Sequence, residues 1–247
     1  MKRLFALLLL CLFAAPAALA ADKIVKETLI SQGRKRTYYL FVPSTLEAGK
    51  PAPLLIALHG SGRNGLSQVE QWKDLATKQG LIVVGPDAKV AQTWNIPDDG
   101  PEFLRELVEA LKTRFSINPR RVYLFGHSAG AEFALQMGLL ESEYFAAVAV
   151  HAGALQPELY SFLDYVQRKI AFAIYIGTKD QYYSLQMVRD TKEVFDDHEL
   201  PVEVVELKGH DHNYYAIAAK LNEQVWTFLR PHELPAEPKF QQYNFKQ

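Results

Sequence analysis

The chain has 247 residues, of which 49% are apolar, and its 27 basic and 28 acidic residues leave a net charge of −1. This length suits one large α/β domain or two small ones, and the apolar content is ample for a core. The near-neutral balance gives no electrostatic case for binding nucleic acid or an anionic membrane. We therefore expect no nucleic-acid partner.

The first twenty residues differ from the rest and predict a cleaved signal peptide. Lys2 and Arg3 form a short positive segment, the apolar run Leu4–Phe13 follows, and residues 18–20 read Ala-Leu-Ala, a typical cleavage site. The apolar run is too short to span a bilayer comfortably, which disfavours an N-terminal anchor. We expect a mature chain that starts at Ala21, has no membrane span and is secreted or periplasmic.

Ile24–Ile30 and Arg36–Val42 have the composition of two strands, and the turn-like residues 31–33 between them predict an antiparallel hairpin. From Leu54 to Leu229, apolar strand-like runs alternate with amphipathic helical segments. This alternation predicts an α/β fold with a doubly wound, mostly parallel sheet and right-handed crossovers. The predicted strands are Leu54–Leu58, Leu81–Gly85, Val122–Phe125, Phe145–Val150, Ala171–Ile176 and Val202–Leu207, and the predicted helices are Gln68–Lys78, two helices that follow Pro101 and Gly130, Leu185–Phe195 and Tyr214–Leu229.

No linker or internal repeat interrupts this region, so we expect one domain over residues 21–232. Residues 156–168 fit a short helix or a cap over the site. Residues 233–247 contain Pro235 and Pro238 among polar residues, which predicts a surface or disordered tail.

Gly126-His127-Ser128-Ala129-Gly130 fits the G-x-S-x-G pattern, and it lies between a predicted strand and a predicted helix, the context that this motif requires. The turn holds its serine in a strained backbone, and side chains at Gly126 or Gly130 would collide with the neighbouring strand or helix. The alternative interpretation is a serine in an ordinary βα turn. We expect Ser128 to be an exposed nucleophile at the start of a helix.

Candidate partners for this serine follow later strands, and the carboxyl ends of parallel strands meet at one edge of a sheet. Asp180 follows one strand, and His210 and His212 follow the last. The order serine, acid, histidine is that of an α/β-hydrolase triad, in which the imidazole takes the serine proton and the carboxylate orients the imidazole. Spacing alone does not choose between His212 and His210, and Asp211 and Asp87 are weaker candidates than Asp180 for the acid.

His59-Gly60-Ser61-Gly62 follows the first predicted parallel strand and suits an oxyanion hole. Gly60 lets the backbone approach, and the N–H of Ser61 can point at the developing oxyanion together with the N–H of Ala129. A phosphate-binding turn is the alternative interpretation, but this segment lacks the Gly-Lys-Ser/Thr ending of the phosphate-binding motif. We expect His59 to be a structural hydrogen-bonding residue.

Several aromatic side chains fall in loops on the same edge. Trp94 and Tyr214 are our candidates for contact with substrate, and Tyr182, Tyr183 and Tyr215 lie nearby in the sequence. The alternative role for most of these aromatic side chains is packing in the core, without contact with substrate.

The histidines show no reliable metal-binding spacing. His210-x-His212 could ligate zinc, but no H-E-x-x-H pattern supports it, and the one cysteine, Cys11, falls within the predicted signal. We expect no metal and no cofactor.

These motifs resemble the polyhydroxybutyrate depolymerase and feruloyl esterase group of α/β-hydrolases. The resemblance is carried by Leu58-His59-Gly60, Arg120–Tyr123, the Gly126–Gly130 segment and Gly177-Thr178-x-Asp180. Gly209–Tyr215 also resembles the Gly-x-Asp-His-Ser-Tyr-Tyr motif of S-formylglutathione hydrolase and related esterases. In that motif the histidine that corresponds to His212 is catalytic, so the resemblance favours His212 over His210.

The resemblance implies hydrolysis of carboxylic esters through an acyl-serine, with Ser128, His212 and Asp180 as the triad and no cofactor. Group members often carry a cysteine where this chain has Ser61, and depolymerases that act on solid polymer usually have extra domains. A small soluble ester with an acyl, hydroxyacyl or feruloyl group is therefore the expected substrate. A serine peptidase on the same fold and a non-catalytic pocket-binding protein are the alternatives, and the sequence predicts no oligomeric state.

Overall fold

The computed structural model describes residues 22–47 and 49–243. The predicted signal peptide, residues 1–20, lies outside the described residues. Within the described part, eight strands form one sheet, with helices packed against both of its faces. The strands are β1 Ile24–Ser31, β2 Arg34–Phe41, β3 Ala52–Leu58, β4 Ile82–Pro86, β5 Ile117–His127, β6 Ala147–His151, β7 Ala171–Gly177 and β8 Val202–Leu207, and the helices are α1 Gly65–Gln79, α2 Pro101–Lys112, α3 Ala129–Leu140, α4 Leu185–Asp197 and α5 Ala218–Leu229.

The order of the strands across the sheet is β1-β2-β4-β3-β5-β6-β7-β8. The first two strands form the predicted antiparallel hairpin, and β2 also pairs antiparallel with β4. All the remaining pairs are parallel, so the carboxyl ends of β3 to β8 lie along one edge. The predicted fold class is confirmed.

The central strands are buried on both faces because helices cover each side, which explains their continuous apolar sequence. Side chains from α1 and α5, such as Trp72 and Val225, pack on one face against Phe125. Side chains from α2, α3 and α4, such as Phe103 and Phe133, pack on the other face. This three-layer core holds the sheet edge in a fixed position relative to the helices.

Two predicted segments differ in detail from the structure. The last predicted helix is interrupted, because Tyr214–Ala216 form a 3-10 turn and α5 begins only at Ala218. Pro157–Tyr165, within the predicted cap segment, form a 3-10 helix that packs beside α3. The interruption places His212 and its neighbours in a tight loop just before α5.

The described part of the predicted tail, residues 233–243, packs along the surface. Leu234 is buried, its N–H donates to the Arg120 carbonyl, and Phe240 packs against the core. Within the residues that the structure covers, no helix has the length and apolar character needed to cross a membrane.

Candidate active site

Ser128 lies between β5 and α3 and has a positive φ, which is uncommon for a residue with a side chain, with φ 57° and ψ −122°. Its N–H donates to the His151 carbonyl at 3.1 Å. A β carbon added to Gly126 would lie 2.1 Å from the Gly130 oxygen, and one added to Gly130 would lie 2.4 Å from the Leu58 oxygen. Both glycines are therefore required by the close contact of α3 with β3 and β5, and the turn projects the serine hydroxyl from the sheet edge.

Ser128, His212 and Asp180 come together at this edge. The Ser128 Oγ lies 2.9 Å from His212 Nε2, and His212 Nδ1 lies 2.8 Å from Asp180 Oδ2. Because the carboxylate can only accept, the imidazole proton lies on Nδ1, and Nε2 is free to accept the serine proton. The arrangement can therefore deprotonate the hydroxyl as it attacks an electrophile.

The Asp180 side chain is fully buried and its two oxygens have separate partners. Oδ1 accepts the backbone N–H groups of Tyr182 and Tyr183, both at 2.9 Å, while Oδ2 faces His212. The loop after β7 thus fixes the carboxylate, and the carboxylate fixes the ring.

The loop after β3 brings Ser61 beside the serine. A β carbon at Gly60 would lie 3.2 Å from Ser128 Cβ, which measures how closely this backbone approaches the nucleophile. Among the described residues, the N–H groups of Ser61 and Ala129 donate to no protein acceptor, and both residues line the cavity around Ser128. Two unpaired amides beside a nucleophile are suited to bind a developing oxyanion.

Hydrogen bonds from His59 and Trp94 hold this loop in position. His59 Nε2 accepts the Ala88 N–H at 3.1 Å, so its proton lies on Nδ1, which donates to the Gly60 carbonyl at 2.8 Å. The indole N–H of Trp94 donates to the His59 carbonyl at 2.9 Å, and its ring stacks on Phe133. The ring is neutral because Nε2 accepts a backbone N–H, and burial also lowers the pKa of His59. Its two hydrogen bonds hold the oxyanion loop in position.

The structure corrects the two predicted substrate contacts. Trp94 is 8% exposed and belongs to the packing just described, and it does not line the cavity. Tyr214 is fully buried, and its hydroxyl donates to Asn222 Oδ1 at 2.8 Å. Its ring lies under the site against Phe125 and His127, because the 3-10 turn directs this side chain into the core.

His210 does not contact the serine. Its Nε2 lies 3.2 Å from His151 Nε2, and His151 Nδ1 lies 3.1 Å from His127 Nδ1. Burial, followed by the influence of neighbouring histidines, lowers the pKa of His127 to about 3 and that of His151 to about 2. His127, His151 and His210 form a chain of hydrogen bonds, called the histidine chain below, which the sequence did not predict.

The alternative acids are also separated from the serine partner. Asp211 Oδ1 accepts the Asn213 N–H and lies 4.0 Å from His210 Nδ1. Asp87 Oδ1 accepts the Gly65 N–H at the start of α1. Neither carboxylate contacts His212. Within the described part of the chain, no group of three or more His, Cys, Asp or Glu side chains is arranged to hold a metal ion.

A cavity of about 760 Å³ opens above Ser128. Of the predicted aromatic residues, Tyr182, Tyr183 and Tyr215 line it, and of the predicted cap segment only Gln156 does. The sequence analysis missed its other polar side chains, since loop residues without periodicity carry no signal of their orientation. These are Arg63, Gln181 and Asn213.

The chain is similar to known proteins in both sequence and fold. The chain matches the sequence model of the Esterase family, described as "Putative esterase", over residues 30–232. It is 27% identical over 170 residues to a bifunctional acetylxylan esterase/xylanase from Neocallimastix patriciarum, and 30% identical over 159 residues to poly(3-hydroxyalkanoate) depolymerase C from Paucimonas lemoignei. These matches cover 67% and 58% of this chain, but only 24% and 38% of the two relatives.

A solved structure of a thermostable esterase superposes with a TM-score of 0.70 at 18% identity, covering 87% of this chain and 64% of the other. At that identity the likeness concerns the fold, which is of the α/β-hydrolase type. The expected resemblance to the depolymerase and feruloyl esterase group is confirmed.

Proposed function

We propose that this chain, which belongs to the Esterase family, is a serine hydrolase that cleaves carboxylic esters through an acyl-serine intermediate. One observation carries the proposal: the Ser128 hydroxyl, the His212 imidazole and the buried Asp180 carboxylate are linked by contacts of 2.9 and 2.8 Å. Those contacts favour a catalytic serine hydrolase over a non-catalytic binding protein, because a binding protein would not require this alignment of side chains.

In the first half of the reaction, His212 Nε2 takes the proton of Ser128 while Oγ attacks the ester carbonyl. Negative charge develops on the carbonyl oxygen and is held by the N–H groups of Ser61 and Ala129. His212 then gives the proton to the leaving alcohol, which departs and leaves the acyl group on Ser128. Asp180 stabilises the imidazolium throughout.

In the second half, water replaces the alcohol. His212 takes a proton from the water, the hydroxide attacks the acyl-serine carbonyl, and the same two amides hold the second oxyanion. Collapse returns the proton to Ser128 Oγ and releases a carboxylic acid. No step requires a metal or an organic cofactor.

We propose a small soluble ester as the substrate, with an acyl, hydroxyacyl or feruloyl group. A cavity of about 760 Å³ suits a ligand of this size, and tyrosines on its wall suit an aromatic or apolar group. The relatives that are named as an acetylxylan esterase and a poly(3-hydroxyalkanoate) depolymerase also act on esters.

We also propose that the protein is exported, to the periplasm or the medium, because residues 1–20 have the composition of a signal peptide. Amino-terminal sequencing of the protein from its host's exported fraction would then begin at Ala21. A protein that retains residue 1 in the cytoplasm would contradict this part of the proposal.

The hydrolase proposal is tested by labelling with a fluorophosphonate probe and by turnover of p-nitrophenyl acetate. We expect labelling of Ser128 and ester hydrolysis, and loss of both in Ser128→Ala. A peptide p-nitroanilide panel separates an esterase from a peptidase on the same fold. Absence of labelling and turnover in the folded protein would reject the proposal.

A further inference from the structure

Arg63 places a positive charge in the cavity that holds Ser128. Arg63 ends the turn that begins at Gly60, with its N–H donating to the Gly60 carbonyl at 3.2 Å, and a β carbon added to Gly60 would lie 3.2 Å from Ser128 Cβ. The first and last residues of such a turn lie within about 7 Å of each other. The backbone of Arg63 therefore lies near the nucleophile, and Arg63 is one of the residues that line the cavity above it.

The guanidinium is supported by an aromatic ring. Its central carbon lies 4.8 Å from the centroid of Tyr215, and the Tyr215 hydroxyl contacts Ser67 Oγ of α1 at 3.2 Å. Tyr215 follows the loop that carries His212, so Arg63 spans the gap between the oxyanion loop and the histidine loop. Stacking on a ring leaves the N–H groups at the edge of the guanidinium available for an acceptor.

Those N–H groups have no acceptor in the residues that the structure describes. Arg63 has no carboxylate within 4.0 Å and no side-chain hydrogen bond there, whereas Arg36 and Arg114 pair with Asp99 and Glu27. Asp211 also lines the cavity, but its Oδ1 accepts the Asn213 N–H. An unpaired guanidinium in a substrate cavity is suited to bind an anionic group of the ligand.

We propose that Arg63 is a specificity residue that binds a carboxylate on the substrate, so that the preferred esters carry a negative charge. The inference rests on the proposed function and deepens it. The carboxylate would accept two parallel hydrogen bonds from the guanidinium while the ester carbonyl lies between Ser128 and the amide of Ser61. The charge can belong to the acyl group or to the alcohol, and the test separates these two sources.

The test compares each anionic ester with a neutral methyl ester of the same shape. Mono-p-nitrophenyl glutarate and its methyl ester place the carboxylate on the acyl group, and 4-acetoxybenzoate and its methyl ester place it on the leaving group. The variants are Arg63→Gln and, as a matched control, Arg189→Gln, which removes an exposed arginine of α4 that pairs with Glu206 of β8 and does not line the cavity.

In at least one of the two ester pairs, we expect kcat/KM for the anion to exceed that for its methyl ester by roughly 3- to 5-fold, the effect of one solvent-exposed ion pair. Arg63→Gln should abolish the preference, read as the ratio of kcat/KM for the anion to that for its methyl ester within the same variant, while Arg189→Gln should leave both this ratio and the rate for the neutral ester unchanged. Raising the salt from about 0.02 M to about 0.5 M should reduce the preference of the wild type.

Two failures are distinguishable. If p-nitrophenyl acetate is not hydrolysed and Ser128 is not labelled, the proposed function itself is rejected. If esters are hydrolysed but neither arm shows an anion preference that depends on Arg63, the proposed function stands and this inference is overturned.

Discussion

The two oxygens of the Asp180 carboxylate have different partners. These partners determine the effect of replacing one oxygen with the NH₂ group of an amide. Oδ1 accepts two backbone N–H groups, from Tyr182 and Tyr183, and Oδ2 faces His212 Nδ1. An amide at this position would keep the oxygen where the backbone donates and would place an NH₂ group against Nδ1. The ring would then have to carry its proton on Nε2, facing Ser128.

We therefore predict that Asp180→Asn leaves the fold intact and lowers kcat for p-nitrophenyl acetate by roughly 10³- to 10⁴-fold, because the histidine adopts the wrong tautomer. The measurement is steady-state kinetics together with a circular dichroism melt. Asp211→Asn is the matched comparison, and it should keep activity within a few-fold since Asp211 does not contact His212. Equal losses in the two variants would contradict the assignment of Asp180.

At the scale of elements, the histidine chain links three parts of the sheet edge. His127 ends β5, His151 ends β6, and His210 lies in the loop after β8. The first is adjacent to Ser128 and the last is two residues from His212, so the chain fixes the nucleophile strand relative to the histidine loop. Two of its members are neutral, because burial lowers the pKa of His127 to about 3 and that of His151 to about 2.

These lowered pKa values make stability depend on pH in a defined direction. Below about pH 6.5 the unfolded chain binds a proton at each of these histidines while the folded chain does not, so stability is lost as pH falls. From about pH 7.5 to about pH 5, we predict a loss of about 2 kcal/mol for each of the two histidines. Urea unfolding at the two pH values measures it.

The matched variants are His151→Gln, which removes one titrating group, and His198→Gln at the exposed end of α4. His151→Gln should be less stable than wild type near neutral pH, yet lose about 2 kcal/mol less on acidification. His198→Gln should follow the wild-type dependence. An unchanged pH dependence in His151→Gln would show that this buried imidazole does not titrate as proposed.

The elements that sequence could predict are those with a strong local pattern. Strand β3 is apolar throughout, and Gly126 and Gly130 belong to the short G-x-S-x-G motif. Strand β5 begins at Ile117 rather than Val122, because Ile117 pairs with Ala52 before an irregularity in the register. Such a pairing depends on a neighbouring strand, which the sequence of β5 alone does not reveal.

Side-chain direction within loops was harder to predict than the position of the loops. Tyr214 and Tyr215 are adjacent, yet the first is buried beneath the site and the second lines the cavity, because the 3-10 turn points them to opposite sides. Trp94 supports the oxyanion loop from a long connection with no periodicity. The triad assignment from chain order agrees with the observed contacts, since the strand ends impose that convergence, but its catalytic role remains a proposal.

At the scale of the whole molecule, the two ends of the parallel strands have different roles. The candidate site lies at the carboxyl ends of these strands, whereas the tail, residues 233–243, packs at their amino ends. The Leu234 and Lys239 N–H groups donate to the carbonyls of Arg120 and Glu143, and the Gln241 N–H donates to Glu141. These contacts lie near the start of β5 and the end of α3, the ends opposite to Ser128.

This separation predicts that the tail stabilises the fold without affecting catalysis. Truncation after Pro238 removes the ring of Phe240 from Tyr144 and Arg105, together with the hydroxyl of Tyr243 that donates to the Leu140 carbonyl. Two partly buried aromatic rings contribute about 2–3 kcal/mol, which lowers the Tm of a chain of this size by roughly 5–10 °C. We expect kcat and KM for p-nitrophenyl acetate at 25 °C to stay within about 2-fold of wild type, because the site and its supporting loops keep all their contacts.

Phe240→Ala in the full chain should give a smaller loss of Tm in the same direction. A truncated protein with an unchanged Tm, or with a raised KM at full stability, would show that the tail acts on the site rather than on the fold.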